Sequence, residues 1–450
     1  MAVGVASSGA PARDPHLPAL HRSGDLIAPT APQDLASAGL DEATLSGLLL
    51  KLAYTVARFT TESAARDLHL SQALMNKLLE KLCFEGMIEQ LWQTSQASSH
   101  YKITDNGREH AARLLEICGY IGPAPVRQEA YAAMLRWQFT NTPPVQEAQV
   151  KAALAGLVLA PRAAQLAGLA VSSGRSLFVY GPSGNGKSSL GRAIHAALPG
   201  DYWIPYSISV GDTIVRLFDE QCHHRVDLSN ERPGTIDQRW IRVRRPLVIV
   251  GGELTIDLLD LIYIPSQRYY EAPPHLKANG GVFLIDDFGR ERISPEQLLN
   301  RLITPMEHQF DYFTLRTGQK IQLPLRHVLI IATNLSPDDV TDPAFLRRMG
   351  YRVYLGAPTP TEYARIFQQY AQRKGLSVTT EMLSGLLERY RAEKRDLRAC
   401  EPRDLIERAA DICRFQGHPL ELSPEVLDLA WVGYFGTDWA AGKAPAAPKS

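Results

Sequence analysis

Apolar residues recur along this chain in two periods, and the points where the period changes divide it into segments. Over DEATLSGLLLKLAYTVARF, Leu45, Leu48, Leu49, Leu52 and Val56 fall at helical spacing. A short helix follows after Thr61. LSQALMNKLLEKLCFEGMIEQL then predicts a helix capped by Ser71 and stopped near Gly86. A hairpin is expected from residues 87–93 and 100–103, and TDNGREHAARLLE closes this part as another helix. Residues 121–169 read as mostly helical and Pro-punctuated. From 170 to 358 the period shifts: short continuous apolar strands alternate with helices, the pattern of a parallel sheet buried on both faces. TPTEYARIF opens an all-helical stretch to about Phe435. There Thr359 is suited to N-cap, Pro360 to the first helical position and Glu362 to the reciprocal bond of a capping box, and Ser423 starts a further helix. Residues 1–38 and 438–450, rich in Ala and Pro, carry neither period and are expected to be disordered tails. No internal repeat is visible.

The change of period at residue 177 introduces the chemistry. Leu177 to Tyr180 reads as a buried strand. Gly181-Pro182-Ser183-Gly184-Asn185-Gly186-Lys187-Ser188-Ser189 then fits G-x-x-x-x-G-K-[ST] at every fixed position, and a helix with Leu190, Ala193, Ile194, Ala197 and Leu198 on one face follows. Glycines let backbone N–H groups converge on phosphates, and the helix N-terminus adds partial positive charge. Lys187 is placed for the β- and γ-phosphates of ATP, and the Ser188 hydroxyl for Mg²⁺.

About a hundred residues on, GGVFLIDDFGRE ends a buried strand in Asp286 and Asp287. Two carboxylates at the carboxyl end of such a strand repel each other without a cation. Asp286 suits the Mg²⁺, and Asp287 suits a water attacking the γ-phosphate. A second apolar strand, HVLIIATNLSPDD, ends at Asn334. DPAFLRRMGYRVYL and CEPRDLIERAADI follow in order.

With these five ordered motifs, residues 121–435 resemble the AAA+ ATPase superfamily. The resemblance implies an α/β P-loop core with a parallel sheet over residues 121–358, carrying β-hairpin insertions, and a helical lid over 359–437. Lys187 and Ser188 match Walker A, and Asp286 and Asp287 match Walker B. Asn334 matches the sensor that places the water. Arg348 matches the arginine finger, with Arg347 and Arg352 as alternatives, and Arg403 matches the lid sensor. Most of the superfamily has Asp-Glu in Walker B, so Asp287 is one methylene shorter than usual. A finger implies a homo-oligomer, most often a hexameric ring or spiral, because the arginine acts on nucleotide held by the neighbouring subunit. Residues 39–120, three helices with a two-stranded wing and a final helix, resemble the winged helix-turn-helix (α+β) domain.

Composition narrows what such an ATPase acts on. Hydrophobic residues make up 45% and charged ones 21%, ordinary for a globular protein with a substantial core. Lys plus Arg and Asp plus Glu are 48 each, so no global field draws the chain to nucleic acid or anionic lipid. Residues 39–120 hold eight Lys or Arg against ten Asp or Glu, which lacks the electrostatic footprint of a DNA-binding module. The favoured partner is a protein to be remodelled or assembled, with DNA through residues 39–120 the alternative. A nucleotide-gated switch and a small-molecule kinase are further alternatives. Arg242, Arg244 and Arg245, or Arg268-Tyr269-Tyr270, are candidate partner contacts on the insertions. Five scattered cysteines and the absence of a signal-like or ~20-residue apolar run point to a cytoplasmic protein. Cys222-His223-His224 has no second ligand pair nearby and reads as a polar surface loop.

Overall fold

The computed structural model describes residues 14–91, 99–228, 234–289, 294–337 and 343–436. It divides into two compact units: Met1–Pro144, Leu198–Leu284 and Glu291–Leu329 form one, and Val145–Ala197, Ile285–Arg290 and Ile330–Ser450 the other.

The first unit starts earlier than the composition suggests. Within the expected tail, Leu20–Ser23 and Leu26–Pro29 form an antiparallel hairpin that turns at Gly24, whose φ is +58°. Gly24-Asp25 is a hairpin turn signal, here masked by the surrounding Ala and Pro. The hairpin is tied in place: Trp203 Nε1 donates to Ile27 O at 2.9 Å, and Thr30 bridges Ile236. Residues 14–38 are therefore structured, and the expectation of a disordered tail fails there. Residues 1–13 and 438–450 lie outside the described residues.

Next come the helix Glu42–Thr55, the short strand Phe59–Thr60, and the helices Thr61–Leu68 and Gln72–Phe84. The strands Ile88–Leu91 and His100–Ile103 and the helix Asp105–Ile117 complete the segment. Ser71 caps its helix as its sequence position implies, accepting from Leu74 N. The three strands pair antiparallel with His100–Ile103 in the middle. This segment does not end at a boundary near residue 120. Ile214 and Tyr269 sit in the same buried cluster as Leu45, Leu49, Leu78 and Tyr120, so later strands complete its core.

A second cluster, with Tyr131, Trp203, Trp240 and Phe313, gathers the inserted strands. Among these, Ser207–Val210 forms a hairpin with Thr213–Arg216, and Asp201–Pro205 pairs antiparallel with Trp240–Arg244. Leu247–Val250 joins the parallel sheet.

Across that five-stranded parallel sheet the order is Leu247–Val250, Val282–Phe288, Val328–Thr333, Leu177–Tyr180 and Tyr351–Tyr354. In the second unit the Leu177–Tyr180 strand lies in parallel register between Val328–Thr333 and Tyr351–Tyr354. Leu177, Phe178, Val179, Ile330 and Ile331 are fully buried, which accounts for their continuous apolar runs. The helices Pro360–Arg373, Thr380–Ala392, Glu401–Gln416 and Pro424–Phe435 form the lid around Tyr363, Phe367, Tyr390 and Trp431. Thr359 and Glu362 make the expected capping box, and Ser423 caps the last helix. The result is an α/β P-loop fold with a helical lid.

Candidate functional site

The phosphate loop takes its shape from glycines at backbone angles that strain other residues. Gly184 and Gly186 have φ of +83° and +86°, in the left-handed region that side chains disfavour. Gly181, at φ +138°, lies so close to Leu355 that an added Cβ would fall 2.2 Å from its carbonyl oxygen. The loop runs directly into the helix Lys187–Ala196, whose N-cap is Gly186, and a helix N-terminus of this kind favours an anion.

Lys187 and Asn334, 147 residues apart in the chain, are in contact. The Lys187 ammonium donates to Asn334 Oδ1 at 2.7 Å, to Gly181 O at 2.9 Å and to Pro182 O at 3.0 Å. Ser188 Oγ donates to Asp286 Oδ1 at 2.8 Å. A hydroxyl and a carboxylate in this pairing are hard oxygen donors of the type Mg²⁺ takes, with the remaining positions left to water and phosphate. Asp286 Oδ1 also accepts from Asp287 N at 3.1 Å. Asp287 stands at φ +55°, a left-handed conformation that a non-glycine residue adopts at a cost, and Gly289 follows at +98°.

The cleft is a cavity of about 600 Å³. Its walls include Ser183 to Ser189, Asp286, Asp287 and Arg403, as the motifs imply. Arg403 bonds its neighbour, with Nε and Nη2 both donating to Asp404 Oδ1 at 2.9 and 2.7 Å. Arg348, half-buried at the end of the helix Pro343–Arg348, does not line this cavity, nor do Arg347 and Arg352. Arg352 donates to Leu346 O, which ties it to that helix.

Several wall residues carry no motif and were not legible in the sequence. Gly156 to Leu159 form one side, and Ile366, Gln369, Tyr370 and Arg373 of the first lid helix the other. Arg373 Nη2 donates to Gly156 O at 3.0 Å, closing that end. Thr333 was also missed. Its buried hydroxyl donates to Phe288 O at 2.6 Å and accepts from Leu335 N at 3.0 Å, which fixes Asn334 relative to the two acids. A Thr directly before the sensor position is the only trace of this in the sequence.

The candidate partner contacts on the insertions are mostly structural. Arg245 donates to Pro199 O and Gly280 O and stacks over Tyr202 at 4.1 Å, and Tyr269 and Tyr270 are buried. Arg242 pairs with Asp201. Arg268 donates to Leu115 O. Arg244 is exposed. The Cys222-His223-His224 run is not simply a surface loop: His223 is buried, its Nδ1 accepting from Asp219 N and its Nε2 bonding Lys277 O. Among the described residues no group of three or more His, Cys, Asp or Glu side chains could hold a metal. Among them, too, no helix is long and apolar enough to cross a membrane.

In sequence, a family described as a domain of unknown function (DUF8689) matches residues 359–432, the span of the lid. No curated protein matches the chain. Among solved structures, similarity extends to NtrX from Brucella abortus in complex with ADP, at 15% identity and a TM-score of 0.38. That match covers 76% of this chain and 67% of the other. A RuvB mutant from Thermotoga maritima is similar at 14% identity and 0.33, covering 65% and 72%. The adhesin competence repressor AdcR from Streptococcus pyogenes is similar at 22% and 0.15, covering 16% and 53%. The sheet order, the phosphate loop and the helical lid together make an α/β P-loop fold with a helical lid.

Proposed function

We propose that this protein binds Mg-ATP in the cleft and hydrolyses it in an oligomer, using the energy to remodel or assemble a macromolecular partner. The observation that carries the nucleotide reading is the convergence of Lys187, Ser188, Asp286 and Asn334, from three separate stretches of chain, through bonds of 2.7–2.8 Å. Lys187 exchanges its oxygen partners for phosphate oxygens. Ser188 and Asp286 would hold the Mg²⁺, which when bound would neutralise charge on the phosphates. Asp287 orients the water, Asn334 keeps it in line with the γ-phosphate, and Arg403 links the phosphates to the lid.

Arg348 supplies the finger to a neighbouring copy, which fits its place outside its own cavity. A finger of this kind contributes ~10³-fold or more to phosphoryl transfer. Two inactive variants, Lys187→Ala and Arg348→Ala, should therefore regain ATPase activity when mixed, one supplying the finger and the other the cleft. No recovery at any ratio, with mixed assemblies demonstrated, overturns catalysis between subunits.

The partner is a protein on this reading. Five of the eight cations at residues 39–120 already have partners: Lys51 is buried and donates to Cys118 O, and Lys81, Lys102, Arg66 and Arg113 are in ion pairs. If that segment is nonetheless a DNA-binding winged helix, the full chain will bind duplex DNA with an affinity that falls steeply with salt.

A further inference from the structure

Asn185 is the least noticed position of the phosphate loop, since the motif leaves it free. It is nevertheless almost wholly buried, at 6% exposure, and lines the nucleotide cavity. Its two amide atoms are in unequal circumstances. Oδ1 accepts from Ala399 N at 3.3 Å, at the entry to the lid helix Glu401–Gln416. Nδ2 is buried with no hydrogen-bond partner among the described residues. The assignment of the two atoms follows from Ala399, which offers an N–H and so needs an oxygen. A buried amide donor with nothing to bond is costly, and native proteins seldom tolerate one without a ligand to complete it.

The lid entry is held to the loop at a second point. Cys400 N donates to Gly184 O at 2.9 Å. A Cβ added to Gly184 would lie 2.8 Å from Cys400 Sγ, so the Cys400 side chain packs close against the loop where Gly184 has none. The middle of the phosphate loop and the start of a lid helix are therefore bonded at two points, and Asn185 is the side chain that bonds the lid entry and lines the cavity.

We infer that Asn185 is a positioning residue that couples phosphate occupancy to the lid. Nδ2 donates to an oxygen of the nucleoside di- or triphosphate while Oδ1 holds Ala399, so a bound phosphate clamps the lid entry through one amide. This rests on the nucleotide reading above. It makes the lid respond to the phosphates that ADP and ATP share, separately from Arg403.

Two substitutions divide the roles. Asn185→Asp keeps an oxygen for Ala399 N, removes the donor and adds a charge that repels phosphate. Asn185→Ala removes both bonds. The measurements on the full chain are ADP affinity by calorimetry and amide hydrogen exchange of residues 398–401 with and without saturating ADP. In the wild type, ADP should slow exchange in that segment. Asn185→Asp should show wild-type exchange without nucleotide but bind ADP at least about tenfold more weakly. Asn185→Ala should exchange faster without nucleotide and gain little protection from ADP even at saturation. Wild-type ADP affinity in Asn185→Asp, or ADP protection in Asn185→Ala equal to wild type, overturns the coupling and leaves the nucleotide site standing. Failure of the wild-type chain to bind ADP overturns both. Thermal unfolding of both variants identifies general loss of fold, which would weaken exchange protection throughout rather than at residues 398–401.

Discussion

Arg239 and Lys187 are both nearly buried cations, one in each compact unit, at 4% and 6% exposure, and the two are handled in opposite ways. Arg239 meets Asp237, itself 2% exposed, through Nε and Nη2, and its Nη1 reaches Ala38 O at 2.7 Å. Lys187 meets two loop carbonyls and an amide oxygen. A planar guanidinium forked onto a carboxylate is fixed, because leaving would strand a buried charge. An ammonium on a flexible stem can leave such oxygens for the anionic oxygens of a phosphate, which hold it more strongly. The first arrangement holds structure; the second suits a ligand that comes and goes.

Separate measurements of stability and binding test that contrast. Arg239→Ala leaves the Asp237 carboxylate buried without its partner and should lower folding stability by about 3–5 kcal/mol. The nucleotide affinity of the folded fraction should stay unchanged. Lys187→Ala should show the reverse, with ATP binding weakened by about a hundredfold or more and a much smaller change in unfolding. Denaturant titration and calorimetry on the two variants give all four values. A matched loss of binding in Arg239→Ala would mean that the contrast between the cations is misdrawn.

These two residues also mark what could be read in the sequence. The site of Lys187 is assembled from three stretches far apart in the chain, but each carries its own local pattern: a loop with the helix after it, and apolar strands leading to Asp286 and Asn334. Arg239 owes its role to Ala38, about two hundred residues away, and to a carboxylate two positions earlier that looks like any surface pair. The N-terminal hairpin was hidden for a related reason. It is tied down by Trp203 and the bridge to Ile236, while its own strands are only four residues each, with His21, Arg22 and Ser23 interrupting any apolar period. The wall at Gly156 to Leu159 is apolar and motif-free, so only its place in the fold identifies it.

A second contrast concerns protons. Burial pushes His223 down to about 4, and both ring nitrogens are engaged in the neutral form. Protonating Nδ1 would set a second donor against Asp219 N, which already donates to it. The folded pKa lies below the unfolded value near 6.5. The unfolded chain therefore takes up the proton first, and stability present above pH 6.5 is lost as pH falls towards 4. Each pKa unit is worth 1.36 kcal/mol. Roughly 2 kcal/mol should be lost at this residue by pH 5. Urea unfolding at pH 7 and pH 5 measures it, and His223→Leu should flatten the difference. An equally steep pH dependence in His223→Leu would place the proton elsewhere.

The smallest expected effect bears on the unusual acid pair. Asp287 sits at φ +55°, and Asp is among the few residues besides Gly that visit the left-handed region readily. Glu would place its reacting group farther out and would hold that backbone angle at a cost of about 1 kcal/mol. Asp287→Glu makes the pair resemble the commoner Asp-Glu, so if reach alone limited this site, turnover would rise. If the backbone has been turned to suit a shorter side chain, turnover should instead fall about fivefold, with ATP affinity unchanged and stability lower by about 1 kcal/mol. The second outcome is expected, because Gly289 at φ +98° and the Thr333 bond to Phe288 O hold the turn in its bent form. The left-handed angle already redirects the carboxylate, so the added methylene of Glu would carry it past the position that Asp287 occupies.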